Sequence, residues 1–234
     1  WRTYVYDRQG KLLWDEVCWA HTPTCGAAFD LDGDGRQEVV MGNSYAAAVV
    51  YSPDGRTIGN AGGSGHAGPT AMACGDLDGN GKGEVVVGDR AGVISFVEWK
   101  GRALPSYDTG SDITAVTTFD ADGDGKLETA VASRNQMLYV FDRDGKPLRQ
   151  VPLLTTCRAL TAMDLAGDAA PELVCACEDG RVRVLDLRGD VLAWYRGDRW
   201  MRRVVGCELD GNPRTREIVA ACDDGRLYAL QTAR

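Results

Sequence analysis

Apolar and polar positions along this chain recur in a fixed order with no helical period. A short stretch of small and apolar residues (26–30, GAAFD) leads into an acidic loop, and a run of apolar residues that opens on an acid (38–42, EVVMG) follows. The order returns at 71–76 (AMACGD) with 84–88 (EVVVG), 115–120 (AVTTFD) with 128–132 (ETAVA), 160–164 (LTAMD) with 172–176 (ELVCA), and 204–208 (VVGCE) with 217–221 (EIVAA). The first acids of the five loops are Asp30, Asp76, Asp120, Asp164 and Glu208, spaced 46, 44, 44 and 44 residues apart. A fixed period of this length is the mark of a repeat architecture. Continuous apolar runs this short, rich in β-branched residues, predict strands buried on both faces.

Each unit continues into a third apolar strand (AAVVYS, GVISFVEW, MLYVFD, RVRVLDL, RLYAL). In the first four units that strand meets a tight turn containing Asp54-Gly55, Lys100-Gly101, Asp144-Gly145 or Arg188-Gly189. Such dipeptides between apolar runs signal hairpins, and a more variable fourth strand leaves each turn. Four antiparallel strands per ~44 residues make the blade of a β-propeller. The fold expected is all-β: one propeller domain over residues 1–234, with five four-stranded blades. Residues 3–15 (TYVYDRQGKLLWD) match 138–151, so the chain begins on a third and a fourth strand, and it ends at 227–230 after three strands of the last unit. The N-terminal strands are therefore expected to complete the last blade and close the ring, which removes an open edge. One third strand is then surplus, and it fits the outside of the ring, a longer propeller, or donation to a neighbouring molecule.

The loops carry the chemistry. Asp30-Leu-Asp32-Gly-Asp34-Gly-Arg36-Gln-Glu38, Asp76-Leu-Asp78-Gly-Asn80-Gly-Lys82-Gly-Glu84 and Asp120-Ala-Asp122-Gly-Asp124-Gly-Lys126-Leu-Glu128 place oxygen donors at positions 1, 3, 5 and 9. Calcium takes six to eight hard oxygen ligands at about 2.3–2.6 Å, and glycines at positions 4 and 6 let the chain wrap tightly around it. Arg36, Lys82 and Lys126 would contribute the backbone carbonyl of position 7, with their side chains in solvent. An EF-hand needs a bidentate Glu at position 12, where this chain has Met41, Val87 and Val131, and it is flanked by helices. Loop two, with Asn80, has one charge fewer and is expected to bind more weakly. The fourth loop has Ala166 at a ligand position and Pro171 at its exit, and the fifth has an extra residue and arginines nearby. Neither is expected to hold calcium.

These loops and their period resemble the FG-GAP or VCBS-type repeats of integrin α-chain-like propellers, whose DxDxDG loops bind calcium between strands. The resemblance covers nearly the whole chain. It implies the propeller fold and about three Ca2+ sites, and it leaves activity open, because such propellers include adhesion modules, sugar-binding modules and plain scaffolds.

Charge adds one constraint. The net charge is −8, yet the three best loops hold eleven carboxylates, so all other side chains, the loops' own Arg36, Lys82 and Lys126 included, sum to +3. Acidity this local excludes a nucleic-acid partner held on a broad basic face. No apolar run reaches the ~18 residues that span a bilayer. The chain opens on Trp1, without an initiator Met, as a processed, truncated or renumbered chain would, so any export signal would already be gone and its absence says little about compartment. The eight cysteines show no CxxC pair and no zinc spacing, and they read as small buried hydrophobes, with Cys18 and Cys25 near enough for a local disulfide.

The inter-blade loops are the expected functional surface. His21 and His66, the chain's two histidines, lie in them without a nucleophile or an acid partner at any fixed spacing. Trp19, Trp200, Arg199 and Arg203 read as a structural rim. The two Arg-Gly-Asp tripeptides, 188–190 and 196–198, are coincidental turn sequences. Taken together, the sequence describes a calcium-stabilised, non-enzymatic interaction scaffold, extracellular, cell-surface or periplasmic, with a protein or glycan partner. Self-assembly through the N-terminal hairpin is the rival expectation, and a lectin-like or polysaccharide-acting propeller is the third.

Overall fold

A computed structural model describes residues 1–17, 22–45, 47–62, 67–100, 103–211 and 216–231. Among these, all regular structure is β-strand. The chain forms two compact units, Trp1–Ile113 and Thr114–Arg234.

The first unit begins with a hairpin, β1 (Arg2–Tyr6) and β2 (Leu12–Val17), which is a two-stranded sheet of its own. Two four-stranded antiparallel meanders follow. One is β3 (Pro23–Phe29), β4 (Glu38–Asn43), β5 (Ala48–Tyr51) and β6 (Thr57–Ala61); the other is β7 (Pro69–Gly75), β8 (Glu84–Asp89), β9 (Val93–Glu98) and β10 (Ala103–Asp108). Between them Leu31, Val40, Val50, Ala61, Val85 and Val87 form a common core. As the continuous apolar pattern predicts, β8 is buried at every residue.

The second unit repeats the plan. It holds β11 (Ile113–Phe119, its first residue belonging to the first unit), β12 (Glu128–Ser133), β13 (Met137–Phe141) and β14 (Pro147–Pro152). The next sheet is β15 (Cys157–Met163), β16 (Glu172–Cys177), β17 (Arg181–Leu185) and β18 (Val191–Arg196), and the last is β19 (Met201–Cys207), β20 (Glu217–Cys222) and β21 (Leu227–Gln231). Leu138, Leu160, Leu173 and Leu185 fill one core, and Val174, Val182, Met201 and Ile218 another. Cys157, Cys175 and Cys177 are buried in the first of these, and all seven described cysteines are free thiols. Cys18 lies outside the described residues.

The strand count corrects one expectation. Among the described residues six sheets are present where five blades were expected, because the N-terminal hairpin stands alone and the last sheet has three strands. The reason lies in Trp14. Its indole N–H donates to the carbonyl of Pro53 at 3.0 Å, its ring lies 5.7 Å from that of Tyr51, and it covers Gly55 so closely that a Cβ there would come within 2.7 Å of the ring. Arg149 of β14 donates to the Arg188 carbonyl at the same separation of 39 residues. The hairpin therefore sits against the first meander as the third and fourth strands of a preceding blade would.

Candidate metal centres

Each acidic loop joins the first strand of a meander to the second, and its side chains are set by the loop's own backbone. In loop one, Leu31 is buried in the core and aims its N–H at the carboxylate of Glu38, 2.9 Å away. Asp30 accepts N–H bonds from Gly33 (2.8 Å), Asp34 (3.1 Å) and Gly35 (2.8 Å), and Asp34 accepts one from Arg36 (2.8 Å). Gly33 and Gly35 have φ of +79° and +86°, a conformation that an L side chain resists.

Loop two copies this arrangement. Leu77 bonds Glu84 at 2.8 Å, Gly79, Asn80 and Gly81 bond Asp76, and Lys82 bonds Asn80. In loop three Ala121 bonds Glu128 at 2.9 Å, Gly123 and Gly125 bond Asp120, and Lys126 bonds Asp124.

The result is convergence of oxygens. One carboxylate oxygen from each of Asp30, Asp32 and Glu38 lies within 4.8 Å of the others, as do those of Asp76, Asp78 and Glu84, and those of Asp120, Asp122 and Asp124. Two ligands on opposite sides of a calcium ion are about 5 Å apart, so these sets fit within one coordination sphere. The carboxylate sets omit Asp34 and Glu128, which the sequence pattern includes.

Electrostatics favours a cation there. Burial pushes the Glu84 carboxyl up to about 7, against the pull of the Leu77 N–H, with Asp78, Asp76 and Glu98 adding to the rise. Glu38 and Glu128 are raised in the same way, by burial first and then by the loop aspartates. Asp120 moves down, held there chiefly by the N–H of Gly125. Clustered hard oxygens with a destabilised carboxylate suit a divalent cation of the calcium class.

Loops four and five are informative controls. Loop four keeps the backbone pattern without the position-3 ligand: Leu165 bonds Glu172 (2.7 Å), Gly167, Asp168 and Ala169 bond Asp164, and Ala170 bonds Asp168. Ala169 does this at φ +70°. Among the described residues no carboxylate trio forms there, in keeping with Ala166 at position 3. In loop five Leu209 bonds Glu217 at 2.8 Å, and Glu208, Asp210 and Glu217 do converge, a grouping the sequence pattern does not reveal. Residues 212–215 of that loop lie outside the described residues.

Other sequence candidates are placed as follows. The Arg36 side chain, expected in solvent, reaches Asp54 in the β5–β6 turn at 2.9 Å. Lys126 Nζ sits 3.9 Å from Asp124. His21, His66 and Trp19 lie outside the described residues. The first Arg-Gly-Asp is the β17–β18 turn, with Gly189 at φ +94° and its N–H on the Asp186 carbonyl. The second begins at the end of β18, and Gly197 donates to the carbonyl of Gly180.

One repeated device is absent from the motif reading. Thr24, Thr70 and Thr114 each donate the hydroxyl to a carbonyl one repeat on, Pro69, Ile113 and Cys157, at 2.6, 2.6 and 2.5 Å. The next two positions of that series are Arg158 and Arg202. Both guanidiniums lie over the ring of Trp200, at 5.9 and 5.3 Å, and they pair with Glu178 and Asp223 at 2.5 Å. Period alone could have found these positions, because they recur with the acidic loops.

Comparison with known proteins agrees with the architecture. A chain of each of two crystal structures of BBS1N in complex with ARL6DN, one soaked with mercury and one with lead, aligns with a TM-score of 0.77 at 15% identity. The alignment covers 99% of this chain and 71% of theirs, and at that identity it shows the β-propeller fold alone. No curated protein matches the sequence. The FG-GAP-like repeat family matches residues 30–87, which run from the first acid of loop one into β8, the strand that follows loop two. The resemblance carried by the acidic loops thus holds on its own ground, and over residues 30–87 this chain carries an FG-GAP-like repeat.

Proposed function

We propose that this chain is a calcium-stabilised β-propeller serving as a non-enzymatic binding scaffold outside the cytosol. The observation that carries the reading is the convergence of three carboxylates in each of loops one to three, on a backbone that spends its own N–H groups holding them. The ligands would be Asp30, Asp32, Asp34 and Glu38; Asp76, Asp78, Asn80 and Glu84; and Asp120, Asp122, Asp124 and Glu128. The carbonyls of Arg36, Lys82 and Lys126 would complete the sets. Bound calcium would neutralise carboxylates that otherwise repel one another and tie neighbouring strands at the loop. Abundant calcium outside the cytosol suits loop sites of modest affinity. The structures of like fold are complexes with another protein, which supports protein binding in general terms.

Thermal unfolding with and without chelator tests the reading. Calcium at about 100 times a site's Kd adds about 2.7 kcal/mol for that site. Asp32→Ala with Asp122→Ala should remove most of the gain, and an undiminished gain in the double variant would refute the assigned ligands.

A second reading is favoured by the three-stranded last sheet. Among the described residues no strand pairs with the outer edge of β21, which can accept one more, and the N-terminal hairpin is the segment of matching sequence. Supplied by the same chain it closes a single propeller domain over 1–234; supplied by a neighbour it builds an assembly by strand addition.

A further inference from the structure

The outer strand of a four-stranded meander is an open edge, and proteins blunt such edges with proline, charge or cover. Three of the four meanders here do so. Strand β10 contains Pro105, β14 begins and ends on Pro147 and Pro152, and β6 is short and lies under the Trp99 ring at Gly59. Strand β18 does so least: it contains no proline, its one charge is Arg196 at its end, and the Tyr228 ring lies 5.2 Å from that of Tyr195. It reads Val-Leu-Ala-Trp-Tyr-Arg with every residue exposed: Val191 53%, Leu192 56%, Trp194 60% and Tyr195 37%. Tyr195 pairs across β17 with Val182, the register of Val151 opposite Leu138 in the preceding meander, and Val151 is buried.

The charge around this edge is opposite to that of the chain. Residues 181–203 hold seven arginines and three aspartates, a net +4 in a protein of net −8. Arg196 stands directly opposite Arg181 across the β17–β18 pair, and like charges so placed repel. Asp179 neutralises Arg181 at 2.6 Å, and the Arg181 guanidinium stacks 5.4 Å from the Trp194 ring. Arg196 has no carboxylate partner among the described residues.

We propose that β18 is a docking edge that takes an acidic, extended segment of a partner protein as an added strand. Main-chain bonds to the edge would supply affinity, Leu192 and Trp194 would contact alternate apolar side chains, and Arg196 would select for a carboxylate. A second copy of this chain is disfavoured, because it would bring two positive islands together. The proposal names the partner class for the binding-scaffold reading and rests on it.

The test uses the full chain and two labelled, capped synthetic peptides, one alternating valine and threonine with glutamate and the other with lysine in place of glutamate. Fluorescence anisotropy reads binding, and hydrogen exchange reads the amides of β18. The glutamate peptide should bind saturably and protect β18, and the lysine peptide should not. Arg196→Glu, at an exposed position, should weaken the glutamate peptide roughly tenfold and invert the preference. Equal binding of both peptides, binding without protection of β18, or no saturable binding overturns the proposal. Calcium-dependent thermal stability, measured on the same samples, reports separately on the scaffold reading, so the two can fail independently.

Discussion

The glutamate that opens each second strand performs one task in all five loops: Glu38, Glu84, Glu128, Glu172 and Glu217 each accept the N–H of the residue after the loop's first acid. It does so in loop four, which lacks a carboxylate trio, so its first role is to latch the loop to the sheet. That buried role explains the titration of Glu84, pushed by desolvation from 4.5 to about 7. The folded chain then holds a proton that the unfolded chain releases. Its contribution to stability is full below about pH 4.5 and is lost as pH rises through about 7. Chemical denaturation of the calcium-free protein should show this decline, Glu84→Gln should flatten it, and saturating calcium, which favours the carboxylate, should oppose it. Loop four offers a complementary test. Ala169 sits at φ +70°, so Ala169→Gly should stabilise by about 0.5–1 kcal/mol in urea unfolding. Because the loop already has the shape of the other three, Ala166→Asp should add a calcium equivalent in titration calorimetry that the parent lacks.

Between residue and molecule stands the meander, and within each unit a threonine clasp ties one meander to the next, Thr24 to Pro69 and Thr114 to Cys157. Thr114 bonds the Cys157 carbonyl at the start of β15 and lies 3.1 Å from the Ala132 carbonyl, so Thr114→Val keeps the shape and removes the hydroxyl from both. The expected cost is about 1 kcal/mol in equilibrium unfolding, and no change would mean that water replaces the hydroxyl. The acidic loops were legible in the sequence because both ligand residues and turn glycines have side-chain signatures. The clasps were not, because their acceptors are main-chain carbonyls that leave no mark. Convergence of Glu208, Asp210 and Glu217 was hidden for a related reason: an inserted residue breaks the motif's spacing while the strands still bring the carboxylates together. The N-terminal hairpin was legible as a third and fourth strand, but its docking was not, since it turns on one indole finding the Pro53 carbonyl and the uncovered face of Gly55.

For the whole molecule, the decisive quantity is how many chains share a hairpin. Trp14 is seated on the β5–β6 turn, so deleting residues 1–15 exposes Tyr51 and should destabilise the protein whatever β21 receives. Stability alone therefore cannot tell closure from assembly, and mass can. Light scattering across a concentration series should give a constant single-chain mass if the hairpin serves its own chain. A mass that grows with concentration, and returns to one chain when 1–15 is removed, would make it a link between molecules, since a head-to-tail contact that does not close propagates. Trp14→Ala separates the two roles further. It weakens the seat on the turn while leaving β1 and β2 available for pairing, so a strand-donating hairpin should then assemble more readily and a ring-closing one should remain monomeric.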